Sequence, residues 1–205
     1  MIKNIVFDMG QVLIHWTPKQ MASLLGFSEQ DTQLVERELF RSVEWVRLDR
    51  GTIAEADAIR SVCSRLPEHL HEGVAQLITG WWQWPLVPVS GMAELIRELK
   101  SLGFGIYLLS NASSGLHEYF HRLPGAECFD GKVVSADWKM LKPQPEIYRT
   151  LYSEFHLDPA ECVFIDDIPA NVDGAMMTGM EGIVFHGDAV RLRRELRALG
   201  IPVSQ

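Results

Sequence analysis

The stretch Ile5-Val6-Phe7-Asp8-Met9-Gly10 decides the fold. Its first three residues are apolar and partly β-branched, which is typical of a short strand buried inside a sheet. Asp8 follows directly and Gly10 stands two residues later, so the predicted strand ends at a carboxylate. In open α/β sheets, ligands bind outside the carboxyl ends of the strands. Asp8 is therefore the first candidate for a functional residue.

The rest of the chain places this strand in a larger sheet. From Ser90 onward, segments with strand character alternate with segments of helical spacing, which predicts a parallel sheet covered by helices on both faces. The later strands are predicted at Ile106–Leu109, Val133–Val134, Cys162–Ile165 and Ile183–Phe185. From Thr17 to about Ala75 only helical signals occur, which indicates an insertion after the first strand. We therefore predict an α/β fold, with a Rossmann-like core at residues 1–15 and 89–205 and a small helical cap at residues 16–88.

Four helix starts carry local signals. Ser28 and Ser90 are predicted to cap helices, and Thr52-Ile-Ala-Glu55 matches the capping box, in which two side chains satisfy the free N–H groups of a first turn. Pro145 stands where the first turn of a helix tolerates a proline.

The charge composition of the chain indicates which classes of partner are unfavourable. The chain has 205 residues, with 19 Lys and Arg against 27 Asp and Glu, and a formal net charge of −8. Nucleic acids and anionic membranes repel such a chain, so we expect neither as a partner. Asp8 interrupts the N-terminal apolar run too early for a signal peptide, and no stretch approaches the roughly 20 apolar residues that span a bilayer. Three cysteines without a Cys-x-x-Cys spacing suit a reducing compartment, and we expect a cytoplasmic protein.

Polar side chains follow the later strands as well. Ser110-Asn111 follows the second strand, the segment after the third contains Lys142, and Asp166-Asp167 follows the fourth. In a parallel sheet these groups meet Asp8 at one rim. Three adjacent carboxylates repel each other unless a cation neutralises them, and their hard oxygen atoms favour Mg²⁺. The metal and Lys142 would make a positive pocket for a phosphoryl group, with Asp8 able to attack phosphorus and form an aspartyl-phosphate.

Four motifs surround these polar residues: Phe7-Asp8-Met9-Gly10-Gln11-Val12, Leu109-Ser110-Asn111, Met140-Leu141-Lys142-Pro143 and Ile165-Asp166-Asp167-Ile168-Pro169-Ala170-Asn171. These motifs resemble those of the haloacid dehalogenase (HAD) superfamily of hydrolases. They occur in the order of the family and frame the whole chain outside the insertion, whose position is similar to that of the family's small helical cap. The Asp-x-Gly-x-Val form of the first motif resembles a branch that includes sugar-phosphate phosphatases, glucose-1-phosphate phosphatase among them.

The resemblance implies roles for the residues that bind and attack the substrate. It implies that Asp8 is the nucleophile and that Ser110 and Lys142 bind phosphate, and we group Asn111 with them as a substrate-binding candidate. The predicted function is the Mg²⁺-dependent hydrolysis of a small phosphorylated metabolite, a phosphate monoester such as a sugar phosphate.

The resemblance also implies a set of metal ligands. Asp8, the backbone carbonyl of Gly10 and an acid after the fourth strand would bind Mg²⁺. We favour Asp167 as the direct ligand and Asp166 as a ligand through water.

Gly10 departs from the family pattern. Most phosphatases of the family carry a second Asp two residues after the nucleophile, where it acts as general acid and base. Such catalysis typically contributes about 10²–10⁴-fold. His15 is near in sequence and is one candidate for the missing role. A phosphate-binding protein without catalysis stays an alternative, as does a haloacid dehalogenase, although a dehalogenase needs no metal and would leave Asp166-Asp167 as an unpaired acidic pair.

Two further patterns have competing interpretations. His117-Glu118-Tyr119-Phe120-His121 matches the H-E-x-x-H pattern of zinc metalloproteases, but Leu123-Pro124-Gly125 ends any helix within a turn and no third zinc ligand follows. A solvated helix face is the favoured interpretation. Trp81, Trp82 and Trp84 are predicted to pack between cap and core, with a substrate wall as the alternative.

Overall fold

The computed structural model describes residues 1–204, which form a parallel sheet surrounded by helices. The strands are β1 (Asn4–Phe7), β2 (Ile14–His15), β3 (Val87–Pro88), β4 (Gly105–Ser110), β5 (Gly131–Val134), β6 (Cys162–Asp166) and β7 (Glu181–Val184). Five of them make one sheet in the order β5-β4-β1-β6-β7, and every neighbouring pair is parallel. β2 and β3 form a separate antiparallel pair. The predicted α/β class with a Rossmann-like sheet is confirmed.

The helices fall into two groups along the chain. They are α1 (Pro18–Ser23), α2 (Glu29–Val35), α3 (Val43–Asp49), α4 (Glu55–Cys63), α5 (His71–Gly80), α6 (Met92–Ser101), α7 (Leu116–Tyr119), α8 (Ser135–Trp138), α9 (Pro145–Phe155), α10 (Pro169–Met176) and α11 (Ala189–Ala198). The first five lie between β2 and β3, where the sequence predicts the insertion. We call residues 16–88 the cap segment and the other residues the core segment. None of the helices in the described residues combines the length and the apolar character needed to cross a lipid bilayer.

Alternating side chains of β1 supply both faces of the sheet. Ile5 and Phe7 belong to one buried apolar cluster, which also contains residues of α6 and α11. Val6, between them, belongs to the opposite cluster, which contains residues of α9 and α10. Complete burial of such a side chain contributes about 1.5–3 kcal/mol, so the sheet is held in place from both sides.

The cap segment shares its apolar interior with the core segment. The cluster that contains Ile5 and Phe7 continues into the cap through Leu70, Leu77 and Trp81, all of them buried. The helices of the cap segment are therefore fixed over one end of the sheet by packing.

Two of the four predicted helix starts are confirmed. Ser28 caps α2, since its hydroxyl oxygen accepts a hydrogen bond from the N–H of Asp31 at 3.1 Å. Pro145 is the first residue of α9.

The other two predicted starts are wrong. Ala54 precedes the first residue of α4, and its methyl group cannot accept a capping hydrogen bond. The hydroxyl of Thr52, the predicted cap, donates instead to the carbonyl of Arg47 at 3.4 Å. Gly91 with a φ of +81°, and not Ser90, stands before α6.

Candidate active site

The register of the sheet brings the predicted residues together. β1 is the central strand, and Phe7 is paired with Leu108 of β4 on one side and with Ile165 of β6 on the other. Asp8 follows directly, and its N–H donates to the carbonyl of Ile165 at 2.9 Å. The side chains that follow β4 and β6 therefore flank Asp8 at the carboxyl edge of the sheet.

Lys142 joins two of the three carboxylates. Its Nζ donates to Asp8 Oδ1 at 2.6 Å, to Asp166 Oδ2 at 2.6 Å and to the carbonyl of Leu109 at 3.0 Å, and its side chain is 1% exposed. Burial alone would lower the pKa of Lys142, but the charges of Asp8 and Asp166 outweigh it and the pKa is raised. Lys142 is thus a buried cation whose three N–H groups all have partners.

Asp166 and Asp167 differ in what they can bind. Both oxygens of the fully buried Asp166 accept hydrogen bonds from Asn171 Nδ2 at 3.1 Å, and Oδ1 accepts a further one from the N–H of Ile168 at 2.8 Å. Asp167 is half-buried, lines the cavity, and makes no side-chain hydrogen bond to the described residues. Burial and the neighbouring charge of Asp166 raise the pKa of Asp167.

The three acids fit a divalent cation. Asp8, Asp166 and Asp167 each offer one carboxylate oxygen, and these oxygens lie within 4.8 Å of one another. Burial raises the pKa of Asp8, Lys142 opposes this shift, and the charge of Asp166 adds to it. Lys142 compensates only part of the negative charge, and an all-oxygen donor set is the kind that Mg²⁺ prefers. Gly10, whose carbonyl is the fourth predicted ligand, lines the same cavity.

Ser110 and Asn111 face the cavity in different ways. Ser110 ends β4, lines the cavity, and its hydroxyl has no hydrogen-bond partner in the described part of the chain. The amide of Asn111 is occupied: its Oδ1 accepts from the N–H of Lys142 at 2.8 Å, and its Nδ2 donates to the carbonyl of Lys142 at 3.1 Å. Asn111 therefore fixes the backbone that carries the buried lysine, a contact that the sequence did not suggest.

A cavity of about 380 Å³ lies above these residues. On the cap side its wall is mostly apolar, formed by Trp16, Trp45, Leu48, Ile78 and Trp81. Trp16 stacks on Trp45 with ring centroids 5.7 Å apart and meets Trp81 edge-on at 5.9 Å. Trp81 is 7% exposed, so it both packs in the interior and lines the cavity.

Asp49 is a cavity residue that the sequence analysis missed. It is the last residue of α3, lines the cavity, and its carboxylate has no hydrogen bond or ion pair to any residue from 1 to 204. Burial raises its pKa to about 8, with the charge of Asp8 adding and Lys142 opposing. Nothing in the local sequence connects position 49 with Asp8, because only the packing of the cap segment brings them near each other. The suggested proton donor, His15, is exposed in β2 and does not line the cavity, so that suggestion is wrong.

The H-E-x-x-H pattern does not form a metal site. α7 ends at Tyr119, so that His121 lies in the following 3₁₀ turn. The ring of His117 bonds to Asp137 at 2.8 Å, and Glu118 accepts a hydrogen bond from the indole of Trp82 at 3.3 Å. Within residues 1–204 the three aspartates form the only group with metal-binding geometry. The zinc metalloprotease alternative is therefore wrong.

Comparison with known proteins identifies the family. The model of the haloacid dehalogenase-like hydrolases matches residues 2–176. The chain belongs to the haloacid dehalogenase-like hydrolases. A sesquiterpene phosphatase of Aspergillus oryzae is 31% identical to this HAD-like hydrolase, and the match covers 96% of each of the two chains. A D-ribitol-5-phosphate phosphatase of Bacteroides thetaiotaomicron is 26% identical and is matched over 88% of this chain and 90% of its own length.

A solved structure shows the same fold. A HAD family enzyme from Bacteroides thetaiotaomicron, crystallised with magnesium and inorganic phosphate, superimposes on this HAD-like hydrolase with a TM-score of 0.71 at 22% identity. The match covers 94% of this chain and 99% of the other.

Proposed function

We propose that the protein is a Mg²⁺-dependent phosphatase that hydrolyses a small phosphate monoester through an aspartyl-phosphate on Asp8. The observation that carries the proposal is the group of three carboxylates, Asp8, Asp166 and Asp167, at the floor of a cavity, where the buried Lys142 contacts the first two. The phosphatases among the relatives support it.

The contacts of Asp8 suggest different roles for its two carboxylate oxygens. Oδ1 is held by Lys142 at 2.6 Å, and no side chain of the described residues donates a hydrogen bond to Oδ2. Oδ2 is therefore the oxygen that attacks phosphorus. Because the backbone N–H of Asp8 is bonded to β6 and Lys142 holds Oδ1, the attacking oxygen is oriented before the substrate arrives.

The other polar groups of the floor bind the phosphoryl oxygens and the metal. The Ser110 hydroxyl donates to a phosphoryl oxygen, and Lys142 stabilises the added charge at close range. Asp8, Asp167 and the carbonyl of Gly10 would hold Mg²⁺, and Asp166 would bind it through water, because both oxygens of Asp166 are already hydrogen-bonded. When bound, Mg²⁺ neutralises negative charge on the phosphoryl group.

The wall of the cavity favours an apolar organic group on the ester. Sugar hydroxyls require hydrogen-bond partners when they are buried, and the cap side offers mainly the rings of Trp16, Trp45 and Trp81. A volume of about 380 Å³ suits a small aromatic or isoprenoid group. The relative that acts as a sesquiterpene phosphatase supports this choice. We therefore propose an aryl or isoprenyl phosphate over a sugar phosphate.

Release of phosphate from p-nitrophenyl phosphate tests the reaction. The purified protein should hydrolyse this ester with Mg²⁺ and lose the activity in excess chelator, because the carboxylates then lack their counter-charge. Asp8→Asn should abolish turnover, since an amide cannot form the aspartyl-phosphate. Asp57→Asn, a change of the same kind at an exposed position of α4, is the control and should retain activity.

The same assay separates the alternatives. Farnesyl phosphate and 1-naphthyl phosphate should have higher kcat/KM values than glucose 1-phosphate, and the reverse order would overturn the substrate class. Turnover that survives in Asp8→Asn would overturn the nucleophile. Binding of vanadate with Mg²⁺ but without turnover of any ester would identify a non-catalytic binding protein.

A further inference from the structure

Breaking the ester bond of an alkyl phosphate requires a proton for the departing oxygen, and position 10 cannot supply it. Gly10 has no side chain, and a Cβ built there would meet no heavy atom within 4 Å. Three acidic side chains line the cavity: Asp8, Asp167 and Asp49. The first two belong to the nucleophile and metal site proposed above, so Asp49 is the remaining acid.

We propose that Asp49 of the cap segment is the catalytic general acid and base of this hydrolase. The inference rests on the proposed phosphatase function and assigns a residue to its proton transfers. Asp49 is the last residue of α3 in the cap segment, and it lines the same cavity as Asp8, which stands at the end of β1 in the core segment. In an in-line attack the leaving group lies on the side of phosphorus away from the nucleophile, so an ester attacked by Asp8 directs its organic group away from the sheet and toward the cap residues of the cavity, of which Asp49 is the acid.

Contacts with the core segment hold the end of α3 in place. The backbone carbonyl of Asp49 accepts a hydrogen bond from the hydroxyl of Ser135 in α8, and the same hydroxyl accepts one from the N–H of Ala112 at 2.9 Å. Two residues after Asp49, the carbonyl of Gly51 accepts from Lys139 Nζ at 2.6 Å. These contacts use only backbone atoms of the cap segment, so they position Asp49 and leave its carboxyl group free for the substrate.

The environment of Asp49 keeps its proton available. The pKa of this carboxyl is raised to about 8, mainly by burial and also by the charge of Asp8, while Lys142 opposes the shift. A group with a pKa of about 8 is protonated at neutral pH, whereas the ordinary value of an aspartate would leave it ionised.

The two steps balance as follows. In the first, Asp8 Oδ2 forms a bond to phosphorus, the bond from phosphorus to the ester oxygen breaks with its electron pair on that oxygen, and the Asp49 proton converts it to the alcohol. In the second, a water molecule attacks phosphorus, Asp49 takes a proton from it, and the bond from phosphorus to Asp8 breaks. The products are inorganic phosphate, the alcohol, an ionised Asp8 and a protonated Asp49.

Asp49→Asn tests the assignment through the leaving group. The kcat/KM for farnesyl phosphate, which leaves as an alkoxide, should fall by about 10²–10⁴-fold. The kcat/KM for p-nitrophenyl phosphate should change by less than about 10-fold, because p-nitrophenolate is stable without a proton. A burst of one p-nitrophenolate per enzyme should precede slow turnover, since the variant lacks the base for the second step. Equal losses for the two esters, or no loss for either, would overturn the role.

Two further variants complete the test. Asp49→Glu retains the acid and should recover part of the farnesyl phosphate activity, so a variant that is no better than Asp49→Ala would also overturn the assignment. Asp57→Asn should leave the ratio between the two esters unchanged. Turnover of p-nitrophenyl phosphate by the wild type tests the phosphatase function separately. If the wild type does not hydrolyse this ester, the proposed function is wrong. If the wild type hydrolyses it and Asp49→Asn lowers kcat/KM equally for both esters, only the role of Asp49 is wrong.

Discussion

At the scale of single residues, Lys142 balances the charge of the site. It is buried, and it contacts two carboxylates that would otherwise repel each other in the interior. Removal of one partner of a buried ion pair typically costs about 3–5 kcal/mol, because the remaining charge is left unpaired. Here one ammonium serves two partners, so its loss leaves both Asp8 and Asp166 without a counter-charge.

We therefore expect Lys142→Met to lower the free energy of unfolding by about 3–5 kcal/mol in the absence of divalent cations. Added Mg²⁺ should raise the melting temperature of this variant more than that of the wild type, because a cation bound by the aspartates replaces part of the lost charge. Thermal unfolding with and without Mg²⁺ measures both effects. Lys19→Met, at an exposed position, is the control, and an equal Mg²⁺ shift in Lys142→Met and the wild type would contradict the prediction.

The residues of the floor could be predicted from the sequence, and the acid of the cap could not. Asp8, Ser110 and Asp166 stand directly at strand ends, so the order of the strands is enough to bring them together. The position of Asp49 depends on the packing of α3 against α8. Ser135 and Asp49, which form a contact between these helices, are 86 residues apart in the sequence, and no local pattern predicts that contact. His15 was an unsuccessful suggestion because nearness in sequence says nothing about the direction of a side chain in β2.

At the scale of elements, an ion pair fixes the helix that carries Asp49. Glu44 of α3 is 7% exposed and accepts two hydrogen bonds of 3.0 Å from the guanidinium of Arg65, which follows α4. The hydroxyl of Ser61 donates to the same carboxylate. The hydrogen bond from Arg65 is the main cause that lowers the pKa of Glu44 to about 2. The two helices are thereby tied together at the side of the cap.

Glu44→Gln should therefore destabilise the protein at neutral pH, by about 1–3 kcal/mol, since a charged hydrogen bond is lost in a buried position. The pKa of Glu44 is lower in the folded than in the unfolded state, so its contribution is complete above about pH 4.5 and is lost as the pH falls toward 2. Urea unfolding at pH 7 and at pH 3 should show a smaller difference from the wild type at pH 3. Arg60→Ala removes an exposed pair with Asp57 and should change stability by less than about 0.5 kcal/mol.

The sequence predicted the regular elements better than the connections between them. Strand and helix alternation is strong after Ser90, because α6, α9 and α11 have 10 or 11 residues each and show the helical period. β2 and β3 have two residues each, too short for any period, and they were missed although they join the two ends of the cap segment. The Thr52-to-Glu55 capping box was wrong because the chain turns at Gly51, with a φ of +67°, which points the Thr52 hydroxyl back to Arg47.

At the scale of the whole molecule, the reaction proposed here needs the cap and core segments in one arrangement. The floor of the cavity comes from the sheet, and Asp49 with most of the apolar wall comes from the cap segment. The two parts meet closely at Gly51, where a Cβ would collide with the carbonyl oxygen of Ala136 and lie 2.8 Å from Lys139 Nζ. This close approach is what allows α8 to bond the backbone at the end of α3.

Gly51→Ala tests whether the close contact between α3 and α8 is needed for activity and not only for the stability of the protein. A matched control exists in Gly26→Ala: Gly26 has a φ of +69°, nearly that of Gly51, but a Cβ there meets nothing within 4 Å. Both variants carry the cost of a left-handed backbone, about 1–2 kcal/mol, which urea unfolding measures. Only Gly51→Ala also pushes α3 away from α8, so only this variant should lose phosphatase activity. Because Asp49 moves with α3, the activity toward farnesyl phosphate should fall more than the activity toward p-nitrophenyl phosphate. Equal activities in the two alanine variants would show that the approach at Gly51 does not position the catalytic acid.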